Sequence, residues 1–197
     1  MEKLIIVQDQ NPFNPREDDC KLGVIAYKHS KYNLGEEYID DPIDWFEDKM
    51  GINRLGRYNS ERLEELEELF FRNHVGLKVY LYDHSGITIS TTPFSCKFDS
   101  GQVGYIYTTK ERIRNFLNVK RITQKTRKRV EELLAMEIEE FNDYLTGNIY
   151  GYEIVDENGN LIDSCGGFFG TEWENNGLSD YLPEHIKPQL KEIEVTY

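Results

Sequence analysis

Residues 83–99 hold the side-chain types that nucleophilic catalysis requires: a thiol at Cys96, an imidazole at His84 and carboxylates at Asp83 and Asp99. A thiol becomes a strong nucleophile when a neighbouring base takes its proton. Asp83 and His84 are adjacent in the chain, so their side chains diverge and do not make a triad by themselves. A single cysteine is more often part of a packed core. A small cytosolic enzyme with a Cys/His/Asp site in this segment is therefore the alternative hypothesis, and a non-enzymatic function is the favoured one.

Metal and cofactor chemistry finds little support in the sequence. His29, His74 and His185 do not have the spacing of metal ligands. The run that begins at Asp156 resembles a calcium loop only superficially, because its twelfth position is Gly167 where a glutamate is needed. We predict no cofactor and no metal site.

Residues 110–129 are the most basic part of the chain, with nine basic side chains and one acidic side chain. We predict that they cover the beginnings of two helices, where the helix dipole already attracts anions. Such a segment can contact the phosphates of nucleic acid, or it can pair with the protein's own carboxylates. The candidate nucleic-acid-binding residues are Lys110, Arg112, Arg114, Lys120, Arg121, Lys125, Arg127, Lys128 and Arg129.

Residues 36–48 have the opposite charge, with seven carboxylates in thirteen residues. Carboxylates held on a rigid scaffold can imitate a row of phosphates and occupy a basic channel on another protein. A solvated acidic surface is the alternative explanation. The candidate partner-binding residues are Glu36, Glu37, Asp40, Asp41, Asp44, Glu47 and Asp48.

Composition limits the class of protein. The chain has 197 residues and a net charge of −13, with 39% hydrophobic residues, enough for a packed core. No apolar run approaches the roughly 18 residues of a membrane-spanning helix, and the opening sequence does not resemble a signal peptide. Three scattered cysteines are typical of a reducing compartment. We therefore expect a cytoplasmic protein with no membrane contact.

Periodicity predicts the elements that must position these residues. Strands are expected near residues 4–7, 23–27, 77–82 and 103–108, and Asn158-Gly159 predicts a hairpin between residues 150–155 and 161–165. Helices are expected after Pro42 with Asp40 or Asp41 as the cap, after Ser60 as a cap, from Thr108 or Thr109 to Leu117, and over 123–145. In the last of these, one apolar stripe is expected, made by Val130, Leu134, Ile138, Phe141 and Leu145. A weak helix is expected after Leu178. The fold class is α+β, one domain over residues 1–197, with an antiparallel sheet and hairpins packed against two or three helices.

Several sequence blocks resemble a mostly uncharacterised family of small acidic proteins that bacteriophages and mobile elements encode. The resemblance spans residues 12 to 170, and its main blocks are Tyr82-Asp83-His84-Ser85-Gly86-Ile87, Pro93-Phe94-Ser95-Cys96 and Asp99-Ser100-Gly101-Gln102-Val103-Gly104. It implies a role similar in kind to anti-CRISPR and anti-restriction inhibitors, and it implies no catalytic residues.

These observations together predict a counter-defence inhibitor of phage type that acts in the cytoplasm of a bacterial host cell. Its partner would be a nucleic-acid-handling host protein, such as a CRISPR nuclease of the Cas9 kind or a restriction enzyme. The carboxylates of residues 36–48 would occupy the partner's basic nucleic-acid channel. The cations of residues 110–129 would add a weak contact to DNA or RNA.

Overall fold

A computed structural model describes residues 2–52 and 60–192. Its strands are β1 (Lys3–Gln8), β2 (Val24–Tyr27), β3 (Glu37–Tyr38), β4 (His74–Asp83), β5 (Ile87–Ser90), β6 (Ser100–Thr109), β7 (Ile149–Val155) and β8 (Leu161–Phe169). Its α-helices are α1 (Pro42–Met50), α2 (Ser60–Asn73), α3 (Lys110–Leu117), α4 (Gln124–Thr146) and α5 (Leu178–Tyr181), and 3-10 helices cover Pro15–Glu17 and Lys187–Glu192. The fold class is α+β, as predicted.

The chain divides into two compact units. Residues 1–17 and 140–197 form the terminal unit, and residues 18–139 form the central unit, so the boundary falls within α4. The expected single domain stays a prediction.

The terminal unit contains the antiparallel sheet β1-β7-β8. The predicted hairpin is present, and Gly159 has the positive φ (82°) that its turn requires. Leu4, Tyr152, Ile154 and Phe168 form the core of this unit with apolar side chains from residues 173–190. The expected helix after Leu178 is present only as α5 and the second 3-10 helix, since Pro183 and Pro188 lie in that part of the chain.

The central unit is built on the sheet β3-β2-β6-β4-β5. Its strand pairs are antiparallel except for β2 and β3, which are parallel. Because side chains alternate across a strand, β6 supplies both faces of the sheet. Tyr105 and Tyr107 pack with Phe46 of α1 and Phe70 of α2 on one face.

The other face of the central sheet packs against α4. A Cβ atom added at Gly23 would lie 2.7 Å from atoms of both Ile106 and Leu134, so the glycine allows α4 to approach the sheet closely. The predicted apolar stripe of α4 is buried at Val130, Leu134, Ile138 and Phe141.

Local details differ from the expectations in two places. Ser60 is the first described residue of α2 rather than its cap, and residues 53–59 before it lie outside the described part of the chain. Strand β4 begins at His74, before the expected start near residue 77, so Gly76 lies inside the strand, where the Phe71 ring and the backbone of Ile106 leave no space for a Cβ atom.

Candidate nucleic-acid interface

The basic segment is presented by α3, α4 and the short turn between them. Strand β6 ends at Thr109 and α3 begins at the next residue, with the Thr109 hydroxyl accepting a hydrogen bond from the Arg112 amide at 3.1 Å. Asn118 ends α3 in a left-handed conformation (φ 51°). Thr123 then caps α4 by accepting a bond from the Thr126 amide at 3.2 Å. Both predicted helix beginnings are confirmed, and side-chain caps fix them.

Six of the nine predicted cations are exposed: Arg114, Lys120, Arg121, Lys125, Lys128 and Arg129. Within residues 2–52 and 60–192, the ion pair described for these six is that of Lys128 with Glu132 at 3.9 Å, and both side chains are largely exposed. Pairs of this kind contribute little stability because water screens them. Internal pairing with the protein's own acids, the alternative hypothesis for this segment, is thus described for Lys128 and not for the other five exposed cations.

The other three cations are partly buried and hold the fold. The Arg127 guanidinium donates to the backbone carbonyls of Phe71 and His74, both at 2.8 Å. Arg112 donates to the carbonyl of Lys21. Lys110 lies 3.3 Å from the Asn73 side-chain oxygen.

The charge order along α4 makes its beginning electropositive. Its first turn contains no acidic residue, and its carboxylates begin at Glu131. The partial positive charge of the unpaired N–H groups at a helix N-terminus adds to the field of nearby cations. We infer from this arrangement that an anion approaching the segment meets an attractive field from both sources.

Residues 36–48 differ from the basic segment, because most of their carboxylates contact other groups of the protein. The Glu36 carboxylate accepts from the Ile25 amide at 2.6 Å. Asp41 is the cap of α1 and accepts from the amides of Ile43 at 2.8 Å and Asp44 at 3.1 Å. Two predicted partner-binding residues are thus committed to backbone hydrogen bonds.

Two further acids of this segment bind side chains. Glu47 is only 3% exposed and accepts from Arg62 at 3.0 Å. Glu37 lies 2.7 Å from Lys49 and also accepts from the Tyr107 hydroxyl. Burial raises the pKa of Tyr107. Burial alone would lower the pKa of Lys49, but the hydrogen bonds to Glu37 and Tyr107 outweigh it, so the pKa of Lys49 is raised.

Of the remaining acids, Asp40 and Asp48 are exposed, and Asp44 is partly buried in the first turn of α1. The seven carboxylates therefore do not form one continuous exposed row. The prediction that they bind a partner stays a prediction; Glu36, Asp40 and Asp48 are its exposed members.

The alternative enzyme site is partly assembled. The Asp99 carboxylate lies 3.5 Å from the Cys96 sulfur and 3.5 Å from Nδ1 of His84. Asp83 instead accepts from the Tyr32 hydroxyl at 3.3 Å. The described contacts join the thiol and the imidazole to the same carboxylate and not to each other, whereas a Cys–His site needs the imidazole in contact with the thiol. In the part of the chain that the structure describes, no three His, Cys, Asp or Glu side chains are grouped as metal ligands.

A cavity of about 510 Å³ beside α3 was not anticipated from the sequence. Residues 19–21 line it together with side chains of α3 that include Glu111, Arg112, Asn115 and Phe116. Hydrogen bonding with Asp18 raises the pKa of the Cys20 thiol, so this thiol stays protonated at neutral pH. One feature of the sequence bears on this cavity. Ile113 and Leu117 have the four-residue spacing that predicts the buried side of α3, and Phe116 does not belong to that side.

Comparisons with known proteins do not place the chain in a family. No family model matches it, and neither a curated protein nor a solved structure matches it significantly. The resemblance to phage-encoded proteins remains an expectation. Among the described helices, none is both long enough and apolar enough to cross a lipid bilayer.

Proposed function

We propose that this protein is a non-enzymatic binding protein that contacts nucleic acid through the exposed cations of residues 110–129. The observation that carries the proposal is the set of six exposed cations around the α3–α4 turn, with a helix beginning that contains no carboxylate. Phosphate contacts by Lys and Arg release counterions, and this release drives sequence-independent binding.

The proposed partner is a nucleic-acid-handling host protein in its nucleic-acid complex. A net charge of −13 repels free nucleic acid at long range, so the basic segment serves best as a secondary contact once another surface is docked. The counter-defence role, with a CRISPR nuclease or restriction enzyme as target in the bacterial cytoplasm, rests on the phage-like sequence blocks. The geometry supports bridging to nucleic acid better than it supports occupation of a basic channel, because four of the seven acids are bound within the fold.

A salt titration of DNA binding tests the proposal. Each phosphate contact adds about 0.9 to the slope of log affinity against log salt, so six contacts give a slope of about −5 on duplex DNA. The test variant replaces Lys120, Arg121 and Lys125 with Gln, and the control replaces the exposed cations Lys31, Arg72 and Lys97 with Gln. Both variants lose the same charge.

We expect the test variant to have a slope of about −3 between roughly 50 and 200 mM salt, and we expect the control to keep the slope of the unmodified protein. Equal losses in the two variants would show that only net charge matters, and absence of binding by the unmodified protein at low salt would refute the proposal.

A further inference from the structure

The cavity beside α3 is a surface depression that is widely open to solvent, and an aromatic ring lines it. Its volume of about 510 Å³ lies within the range of roughly 300–1,000 Å³ that ligand pockets cover. Phe116 lines it and is 50% exposed, although the same helix buries Ile113 completely. A half-exposed ring in a concave surface leaves apolar area that a flat aromatic ligand can cover.

The ring is held in place by the regular geometry of α3. Thr109, Arg112 and Phe116 follow one another at three- and four-residue steps, so they share one side of the helix. All three line the cavity. Because Thr109 caps the helix and Arg112 donates to the Lys21 carbonyl, the wall that carries Phe116 is fixed before any ligand binds.

Polar groups in the cavity suit the edge of a nucleobase. Asn115 lies next to the ring in sequence, and its side-chain amide has no hydrogen bond described within residues 2–52 and 60–192. An amide can donate and accept at a base edge, and a carboxylate such as Glu111 can accept from an exocyclic amine. The lining carries two carboxylates, Asp19 and Glu111, and two cations, Lys21 and Arg112. Their formal charges balance, as suits an uncharged base.

The cations that would hold the backbone lie close by in the chain. Arg114 precedes Phe116 by two residues, and Lys120 follows it by four, a reach of at most about 14 Å. Residues two apart do not share a side of a helix, so Lys120, in the turn after α3, is a better candidate than Arg114 for a phosphate contact beside Phe116. Proteins that bind single strands combine a stacking ring with a basic path for phosphates in this way.

We propose that the cavity accepts an unpaired base of single-stranded DNA or RNA, stacked on Phe116, while the exposed cations of residues 110–129 hold the adjoining phosphates. This inference rests on the proposed function and narrows it from nucleic acid in general to single strands. A base inside a duplex cannot offer its face to Phe116 without unpairing.

The test compares two phenylalanine substitutions in the full chain. Phe116→Ala removes the ring from the cavity, and Phe98→Ala is the matched control, because Phe98 is 99% exposed and does not line the cavity. The probes are an oligothymidylate of roughly 16 nucleotides, an abasic strand and a duplex of the same length. Affinities are measured at low salt by fluorescence anisotropy.

We expect Phe116→Ala to weaken binding of the oligothymidylate about tenfold, with unchanged affinity for the duplex and the abasic strand. We expect Phe98→Ala to behave like the unmodified protein and Phe116→Trp to restore binding. Equal affinity of Phe116→Ala and the unmodified protein for the oligothymidylate would overturn the inference while leaving the proposed function intact. An equal loss on all three probes would also overturn it.

Failure of the proposed function has a different signature. In that case the unmodified protein binds none of the three probes, or the triple substitution of Lys120, Arg121 and Lys125 changes none of the affinities. The inference then falls with the function on which it rests.

Discussion

Residues 36–48 and residues 110–129 have comparable charge densities, with seven carboxylates in the first segment and nine cations in the second. Four of the seven carboxylates accept hydrogen bonds within the fold, whereas six of the nine cations are exposed. For two of the four, Glu36 and Asp41, the physical reason lies in the backbone. Helix beginnings and strand edges expose N–H groups, which carboxylates satisfy directly. An acidic run beside such groups becomes structural more readily than a basic run does.

Among the acidic and basic residues of these two segments, Glu47 is the one whose replacement is expected to lower the free energy of unfolding most. Replacing Glu47 with Ala removes a nearly fully buried carboxylate and leaves Arg62 with the more distant and exposed Glu65 at 3.5 Å. We expect the free energy of unfolding to fall by about 3 kcal/mol. Asp48→Ala is the control, since it removes an exposed acid from the same helix. Urea denaturation followed by circular dichroism measures both. If both variants lowered the free energy of unfolding by the same small amount, Glu47 would contribute no more to stability than an exposed acid does.

Arg127 and Arg129 divide the basic segment into structural and exposed members. We expect Arg127→Ala to lower the free energy of unfolding by about 2 kcal/mol, because the guanidinium bonds to the carbonyls of Phe71 and His74 are lost. We expect Arg129→Ala to leave stability unchanged and to reduce the salt slope of DNA binding by about 0.9. Thermal unfolding and anisotropy titrations distinguish the two. A stability loss in Arg129→Ala would mean that the exposed cations also hold the fold.

The smallest effect is expected at the cap of α1. Asp41→Ala removes the acceptor for the Ile43 and Asp44 amides, and loss of such a cap costs about 1 kcal/mol. Asp40→Ala removes the neighbouring charge but no cap, so its midpoint of urea denaturation should match that of the unmodified protein. A larger fall in the urea midpoint for Asp40→Ala than for Asp41→Ala would show that the assignment of the cap is wrong.

The elements were largely predictable because their signals are local. Thr109 and Asn158-Gly159 placed a helix cap and a hairpin turn, and the spacing of Val130, Leu134 and Ile138 placed the buried side of α4. The division into two sheets was not predictable in the same way, because pairing between β1 and β7 joins residues far apart in sequence.

The candidate site was predictable only in part. Charge density located the basic segment, but it did not distinguish Arg127, which donates to two carbonyls, from Arg129, which is exposed. The cavity beside α3 forms between residues 19–21 and residues 109–116. Only the folded arrangement of β6 and α3 brings these two parts of the chain together, so the position of Phe116 outside the buried side of α3 indicates an exposed ring but not the cavity.

The direct passage from β6 into α3 has a consequence for the entropy of binding. A phosphate-binding loop that is disordered when free must lose backbone freedom on binding, at a cost of about 1–2 kcal/mol for each residue that becomes ordered. Here the helix that carries Arg114 and Phe116 continues from a central strand of a five-stranded sheet, and Thr109 joins strand and helix without an intervening residue. The sheet has already restricted that backbone during folding, so the proposed binding of nucleic acid by α3 would be weakened chiefly by the ordering of side chains.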